Sequence, residues 1–267
     1  MEAVNCDNPD IGDIALLISA EDFPGLDIEA YSTQLVELGN ILLNMIIDHN
    51  IYLKVPEDIY IYDNLIVELM RDCIGKNVPL RGAGGGNPKT HYLHSVIEHG
   101  MGVPLACGLV WLAVAKKAKI NAEGVGLPGH FLIRIGRHLV DTYSGGNLLS
   151  NDDVKALVRK PCNSNHIELD PAWLLGSSPR YMMARLSRNL RGCYAMHENW
   201  TMALQCADRC VDLLPEEASD IRDRGLIYWK SGRSQEAVSD LERYCQLNPT
   251  GHDIKDLQNM IRKIQNR

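Results

Sequence analysis

The chain has 267 residues, enough for two domains of ordinary size, and its hydrophobic content of 45% excludes disorder throughout. The formal net charge is −7: residues 1–176 hold 13 basic and 22 acidic side chains, and residues 177–267 hold 14 and 12. The sequence lacks the unbroken apolar run of about 18 residues that a transmembrane helix needs, so no membrane partner is expected. An acidic main body also argues against nucleic acid as a partner, because phosphate binding needs clustered Lys and Arg.

The N-terminus and the cysteines bear on the compartment. The first seven residues are acidic and lack a basic region, so no signal or transit peptide is expected. The eight cysteines show no CxxC or disulfide-framework spacing, which is typical of reduced thiols in a cytoplasmic protein. Cys206 and Cys210 would share a helix face, and we interpret them as two buried thiols rather than half a metal site.

The first 80 residues are predicted to form a helical layer of the core. Two sets of apolar residues recur at helical spacing within residues 11–75. They are Leu35, Leu38, Leu42, Met45 and Ile46, followed by Ile59, Tyr62, Ile66, Leu69 and Met70.

A glycine-rich segment and a histidine-rich helix follow. The segment 81–88 does not match a phosphate-binding P-loop, because Pro88 intervenes before Lys89 and no apolar strand precedes it, so we predict a mobile surface loop. Residues 90–99 are predicted to be helical, with His91, His94 and Glu98 on one face. That spacing permits a metal site as a weak alternative to an ordinary polar face. The default expectation is that the protein has no metal and no cofactor.

The central part of the chain changes from helix to strand. Residues 103–118 are apolar on all sides, which indicates a buried helix whose first turn contains Pro104. Residues 125–135 and 138–143 flank a two-residue loop, Gly136-Arg137, and are predicted to form a hairpin. Helices followed by a small antiparallel sheet indicate the α+β class, with the core extending over residues 81–176.

The segment 177–267 contains an internal repeat. A shift of 34 residues aligns Ala203 with Ala237 and Pro215 with Pro249, and this is the period of tetratricopeptide repeats. Ser178 and Pro179 suit the start of the first helix. We predict two repeats and an amphipathic capping helix at 252–265.

His130 and Asp141 are the pair that could carry chemistry. With a two-residue loop, Ile135 pairs with His138, which places His130 and Asp141 on the same face of the sheet as diagonal neighbours. A carboxylate that orients an imidazole is two-thirds of a nucleophilic triad. Cys107 stands near the start of the buried helix, where a helix dipole lowers a thiol pKa. The alternative is that all three residues are structural.

Several motifs resemble the SirB-type transglutaminase-like family, in which a transglutaminase-like core precedes tetratricopeptide repeats. The resemblance covers about residues 30–265 and rests on segments 102–104, 111–115, 123–134, 140–146 and 221–228. It implies a papain/transglutaminase-like core in which His130 and Asp141 match the catalytic His and Asp. The matching nucleophile position falls near Pro104, about one helical turn from Cys107.

Two functions follow from these patterns. The first is a regulatory or protein-binding module with a degenerate catalytic cleft, which binds a protein or peptide partner through the repeat tail. The alternative is a thiol-dependent amide hydrolase or acyltransferase that uses Cys107, His130 and Asp141.

Overall fold

A computed structural model describes residues 9–51, 59–163 and 167–266, except for the side chains of residues 59–61. Cys6 and the side chain of Ile59, both considered above, therefore lie outside the described residues. The chain divides into two compact units, one ending at Met182 and the other beginning at Met183.

Among the described residues, six α-helices belong wholly to the first unit: α1 (Ile11–Asp22), α2 (Ile28–Asp48), α3 (Ile59–Asn77), α4 (Leu93–His99), α5 (Pro104–Lys117) and α6 (Asn151–Arg159). The strands are β1 (Arg81–Gly82), β2 (Met101–Gly102), β3 (Ala122–Leu127), β4 (His130–Ile135), β5 (His138–Asp141) and β6 (Asn147–Leu149). The remaining helices are α7 (Pro179–Met196), α8 (Trp200–Leu213), α9 (Ala218–Lys230), α10 (Ser234–Leu247) and α11 (Ile254–Gln265).

Helix α5 is the centre of the first unit. Every residue from Leu105 to Ala115 is buried, as expected for a helix that is apolar on all sides. It packs against α1, α2 and α4 on one side and against β3 and β4 on the other. The sheet and the helix layer thus enclose one apolar core, and the α+β class predicted from the sequence is confirmed.

The sheet is antiparallel in the order β3-β4-β5-β6. The predicted loop at Gly136-Arg137 is present, and Ile135 pairs with His138. Gly136 has φ +55°, and a Cβ there would lie 1.9 Å from an oxygen of Asp63, so the turn needs glycine. The prediction of one strand over 125–135 is wrong, because the chain reverses at Pro128-Gly129 and pairs Leu127 with His130.

The glycine-rich segment is anchored to its surroundings, which differs from the mobile loop we predicted. Its first two residues form β1, which pairs in parallel with β2. The hydroxyl of Thr90 donates to the carbonyl oxygen of Gly84 at 3.1 Å, and the Nε2 atom of His91 lies 3.0 Å from the carbonyl oxygen of Gly85. These contacts fix the loop beside the start of α5.

The second unit is a stack of antiparallel helices in which α8 packs on α9, α9 on α10 and α10 on α11. Ala203 and Ala237, which the 34-residue shift aligns, are both fully buried where helices cross. The equivalent Leu213 and Leu247 differ, since Leu213 is 2% exposed and Leu247 is 45% exposed. Cys206 and Cys210 are fully buried thiols, as predicted.

Two further properties hold across all the described segments. All seven cysteines in the described segments are free thiols. Within the same segments, no helix combines the length and the apolar character needed to cross a bilayer.

Candidate active-site cleft

The structure brings His130 and Asp141 into contact at the edge where β4 begins and β5 ends. The Nε2 atom of His130 lies 2.9 Å from Oδ1 of Asp141, and the two residues are 8% and 3% exposed. The two-residue loop sets this register, because it places both side chains on one face of the sheet. The pair therefore has the geometry that the sequence predicts for it.

The charge on Asp141 is held by its hydrogen bonds. Burial alone would raise the pKa of Asp141, but hydrogen bonds from His130 and Ser144 and the backbone N–H of Tyr143 outweigh it and lower the pKa. An ionised carboxylate only accepts hydrogen bonds, so the Nε2 atom of His130 carries the proton and donates it. Asp141 thus fixes one tautomer of the imidazole.

An aromatic ring that we did not predict contacts His130. The ring of Tyr143 meets the ring of His130 edge-on, with centroids 5.7 Å apart. It also lies so close to Gly82 that a Cβ on Gly82 would be 2.5 Å from the ring. The requirement for glycine at position 82 is visible only once β1 and the turn after β5 are seen together.

Cys107 has the environment of a core thiol. It is fully buried, and its Sγ atom donates a hydrogen bond of 3.4 Å to the carbonyl oxygen of Gly102. Burial, together with the negative charge of Asp141, raises the pKa of Cys107 to about 12. The low pKa expected of a thiol at a helix start is therefore not realised at this position.

The residue that begins α5 offers no nucleophile. Pro104 is the first helical residue, and Val103 caps the helix with no side-chain hydrogen bond. This is the position near which the family resemblance places the nucleophile. The candidate site therefore contains an imidazole and a carboxylate in contact, while the helix start that would complete a triad carries a proline.

The weak metal alternative is not supported. Helix α4 begins at Leu93, because Tyr92 has extended dihedrals and ends the preceding turn, so His91 lies outside the helix. His91, His94 and Glu98 therefore do not share a helix face, and the predicted helix over 90–99 is too long. Among the residues the structure describes, no three His, Cys, Asp or Glu side chains are grouped as metal ligands.

Both histidines instead pack inside the first unit. His94 is 9% exposed and lies against the rings of Phe23, Tyr31 and Tyr92. Burial lowers the pKa of His91 and of His94, with the hydrogen bond to Gly85 opposing the shift at His91. Burial therefore favours the neutral form of both imidazoles.

Because His91 and His94 are buried, we expect the folded protein to lose stability in mild acid. The unfolded chain takes up protons on these histidines at pH values below about 6.5, while the folded chain resists protonation. Stability is therefore complete above that pH and falls as the pH decreases, by up to about 1.4 kcal/mol per pH unit for each histidine. Urea unfolding at about pH 7 and about pH 5.5 measures the loss.

Two variants assign the loss to its source. Gln at position 91 can still donate to the carbonyl oxygen of Gly85 but does not titrate, so H91Q should reduce the pH dependence to the part that His94 contributes. H252Q changes an exposed histidine and should keep the wild-type slope. Equal stability of the wild type at both pH values would contradict the prediction.

Comparison with known proteins agrees with this architecture. A family model described as the transglutaminase-like superfamily matches residues 56–188, and a tetratricopeptide-repeat model matches residues 190–262. The predicted order, a transglutaminase-like domain followed by tetratricopeptide repeats, is confirmed.

The similar proteins include bacterial sequences of one name. A UPF0162 protein of Xylella fastidiosa (strain 9a5c) is 30% identical over 264 residues, which are 94% of this chain and 89% of the relative. A UPF0162 protein of Pseudomonas aeruginosa is 34% identical over 163 residues, 60% of each chain. A third, from Vibrio cholerae, is 23% identical over 180 residues, 64% of this chain and 65% of the relative.

Proposed function

The chain belongs to the family of UPF0162 proteins, and we propose that it is a regulatory protein-binding module of the SirB type with a degenerate catalytic cleft. In this proposal the second unit, which we call the repeat unit, binds a segment of a partner protein. The transglutaminase-like core keeps the His130–Asp141 pair as part of its structure. We place the protein in the cytoplasm, in keeping with its free thiols.

The observation that carries the proposal is the state of Cys107. A thiol with a pKa of about 12 holds roughly one thiolate in 10⁵ molecules at neutral pH, and the thiolate is the nucleophile. The side chain is also fully buried, so a substrate carbonyl has no access to its sulfur. Tetratricopeptide repeats, by contrast, present extended surfaces suited to binding.

One observation favours the alternative of a thiol-dependent amide hydrolase or acyltransferase. The 2.9 Å contact between His130 and Asp141 is the arrangement that a general base requires. In that mechanism the imidazole takes the proton of Cys107 as the sulfur attacks the amide carbonyl, and it later gives the proton to the leaving amine. The alternative requires the sulfur to leave the carbonyl oxygen of Gly102 and reach the cleft.

In-cell photo-crosslinking of the full chain tests the proposal. A photoreactive residue replaces Met196, Leu247 or Asn259 in the repeat unit, or Leu175 in the first unit as a control; Met196 and Leu175 are 68% and 67% exposed. We expect one partner to crosslink from the repeat positions and not from position 175. The same partner should crosslink in a C107A background. Absence of any repeat-unit partner, or its loss in C107A, would contradict the proposal.

A further inference from the structure

A notch between α9 and α11 is a surface feature of the repeat unit. It is a cavity of about 430 Å³, a size within the range of sites that bind small ligands or side chains. We call it the Trp229 notch; its lining residues are Trp229, Asp256, Asn259, Met260, Lys263 and Ile264.

The floor of the Trp229 notch is apolar. Trp229 is 37% exposed, with the ammonium of Lys230 5.1 Å from the centroid of its ring, and Met260 and Ile264 complete the apolar surface. Partly exposed tryptophan beside aliphatic side chains is the composition that marks the centre of protein interfaces. The notch therefore suits one apolar side chain of a partner.

Two opposite charges stand along the Trp229 notch. Asp256 and Lys263 are seven residues apart on α11, about 10 Å along the helix, with Met260 between them. Both side chains are exposed, and neither forms an ion pair with any residue in the described part of the chain. A partner segment that covers the notch would meet a carboxylate near one end and an ammonium near the other.

Three arginines of this unit are held in internal ion pairs. Arg188 and Arg191 bind the carboxylate of Asp220 at 2.7 and 2.9 Å, and Arg222 binds Asp253 at 3.1 Å. Ion pairing within the unit thus neutralises these three guanidinium groups. The charged residues that line the notch are Asp256 and Lys263, and the ammonium of Lys230 lies over the Trp229 ring.

We propose that the Trp229 notch binds an extended segment of a partner protein in which an apolar side chain stands midway between a basic and an acidic residue. Alternate residues of an extended chain face the same side, and positions four residues apart are about 13 Å apart. The pattern is basic-x-apolar-x-acidic, in either chain direction, with the basic residue at Asp256 and the acidic residue at Lys263. This inference rests on the proposed function and names the partner's chemistry.

The probes are fluorescein-labelled peptides titrated against the full chain by fluorescence anisotropy. Two peptides carry Lys-Ser-Phe-Ser-Glu and its reverse between Gly-Ser flanks, and a third replaces the Lys by Glu. We expect one of the first two to bind at least about tenfold more tightly than the acidic peptide. W229A should weaken that binding by about tenfold or more, as for a central interface tryptophan.

Reversing the charge of one exposed side chain tests the inference with a variant that is expected to fold. K263E alters an exposed side chain and should weaken binding of the preferred peptide. Replacing the Glu of that peptide by Lys should restore binding to K263E and not to the wild type. L175A, which removes an exposed leucine of the first unit, is the matched control and should bind like the wild type.

Two outcomes would overturn the inference. One is that none of the peptides binds the wild type, and the other is that binding is unchanged in both W229A and K263E. If crosslinks still form from Met196 or Leu247 in either case, the proposed protein-binding function stands while the notch is excluded as its site. If the crosslinks are absent as well, the proposed function fails too.

Discussion

Replacing Asp220 with alanine is expected to destabilise the repeat unit by about 3–5 kcal/mol, the largest effect we predict for a single substitution. Asp220 is fully buried, and its carboxylate accepts hydrogen bonds from Arg188 and Arg191, whose side chains are 22% and 12% exposed. Without the carboxylate, two largely desolvated guanidinium groups lose their shared partner. Arg191 keeps its ion pair with Asp223 and Arg188 lies 4.0 Å from Glu217, but neither contact replaces the buried carboxylate that the two guanidinium groups share, so breaking these pairs costs more than their net value.

Hydrogen exchange in increasing urea measures this effect in the full chain, because it reports opening of α7 and α9 separately from the first unit. The matched control is D212A, which removes an exposed carboxylate of α8 and should change stability by no more than about 0.5 kcal/mol. A loss in D220A no larger than that of D212A would show that the arginines find other partners.

Replacing Asp141 with alanine has the second largest expected effect. We expect the free energy of unfolding of the first unit to fall by about 3 kcal/mol. The substitution leaves two buried donors, the His130 imidazole and the backbone N–H of Tyr143, without their acceptor. Each unsatisfied donor costs about 1–3 kcal/mol. D141N keeps an acceptor oxygen of the same shape and should lose only about 1 kcal/mol.

Urea unfolding followed by circular dichroism and by hydrogen exchange of β4 and β5 compares the two variants. The difference between alanine and asparagine identifies Asp141 as a structural acceptor. Equal stabilities of D141A and the wild type would mean that the pair is dispensable for the fold, and would strengthen the hydrolase alternative. The pH dependence adds a check, because the stabilisation by Asp141 is complete above the ordinary aspartate pKa of about 4 and is lost as the pH falls through the lowered pKa of the folded state.

The sequence predicts well what local periodicity and turn geometry determine. The all-apolar segment after Pro104 is the buried helix, and the two-residue loop at Gly136 sets the register that joins His130 to Asp141. The 34-residue shift identifies the repeats, because each repeat buries small residues at the same place.

Contacts between segments distant in the chain were not predictable in this way. The reversal at Pro128-Gly129 is a different case, because a Pro-Gly pair is itself a turn signal that the prediction of one strand did not use. The contact of the Tyr143 ring with His130 depends on how closely Gly82, about 60 residues earlier in the sequence, approaches that ring. The ion pairs of Asp220 form only when α9 packs against α7. In the sequence, the charged residues of these two helices resemble side chains that face solvent.

The central claim, that the cleft lacks a working thiol, is tested most directly by alkylation of the folded full chain. After brief exposure to iodoacetamide at neutral pH, peptide mass spectrometry should find Cys162 and Cys245, which are partly exposed, modified. Cys107 should remain unmodified until urea unfolds the protein. Rapid, stoichiometric modification of Cys107 in the folded protein, slowed by H130A, would contradict the account and establish the thiol-dependent enzyme in its place.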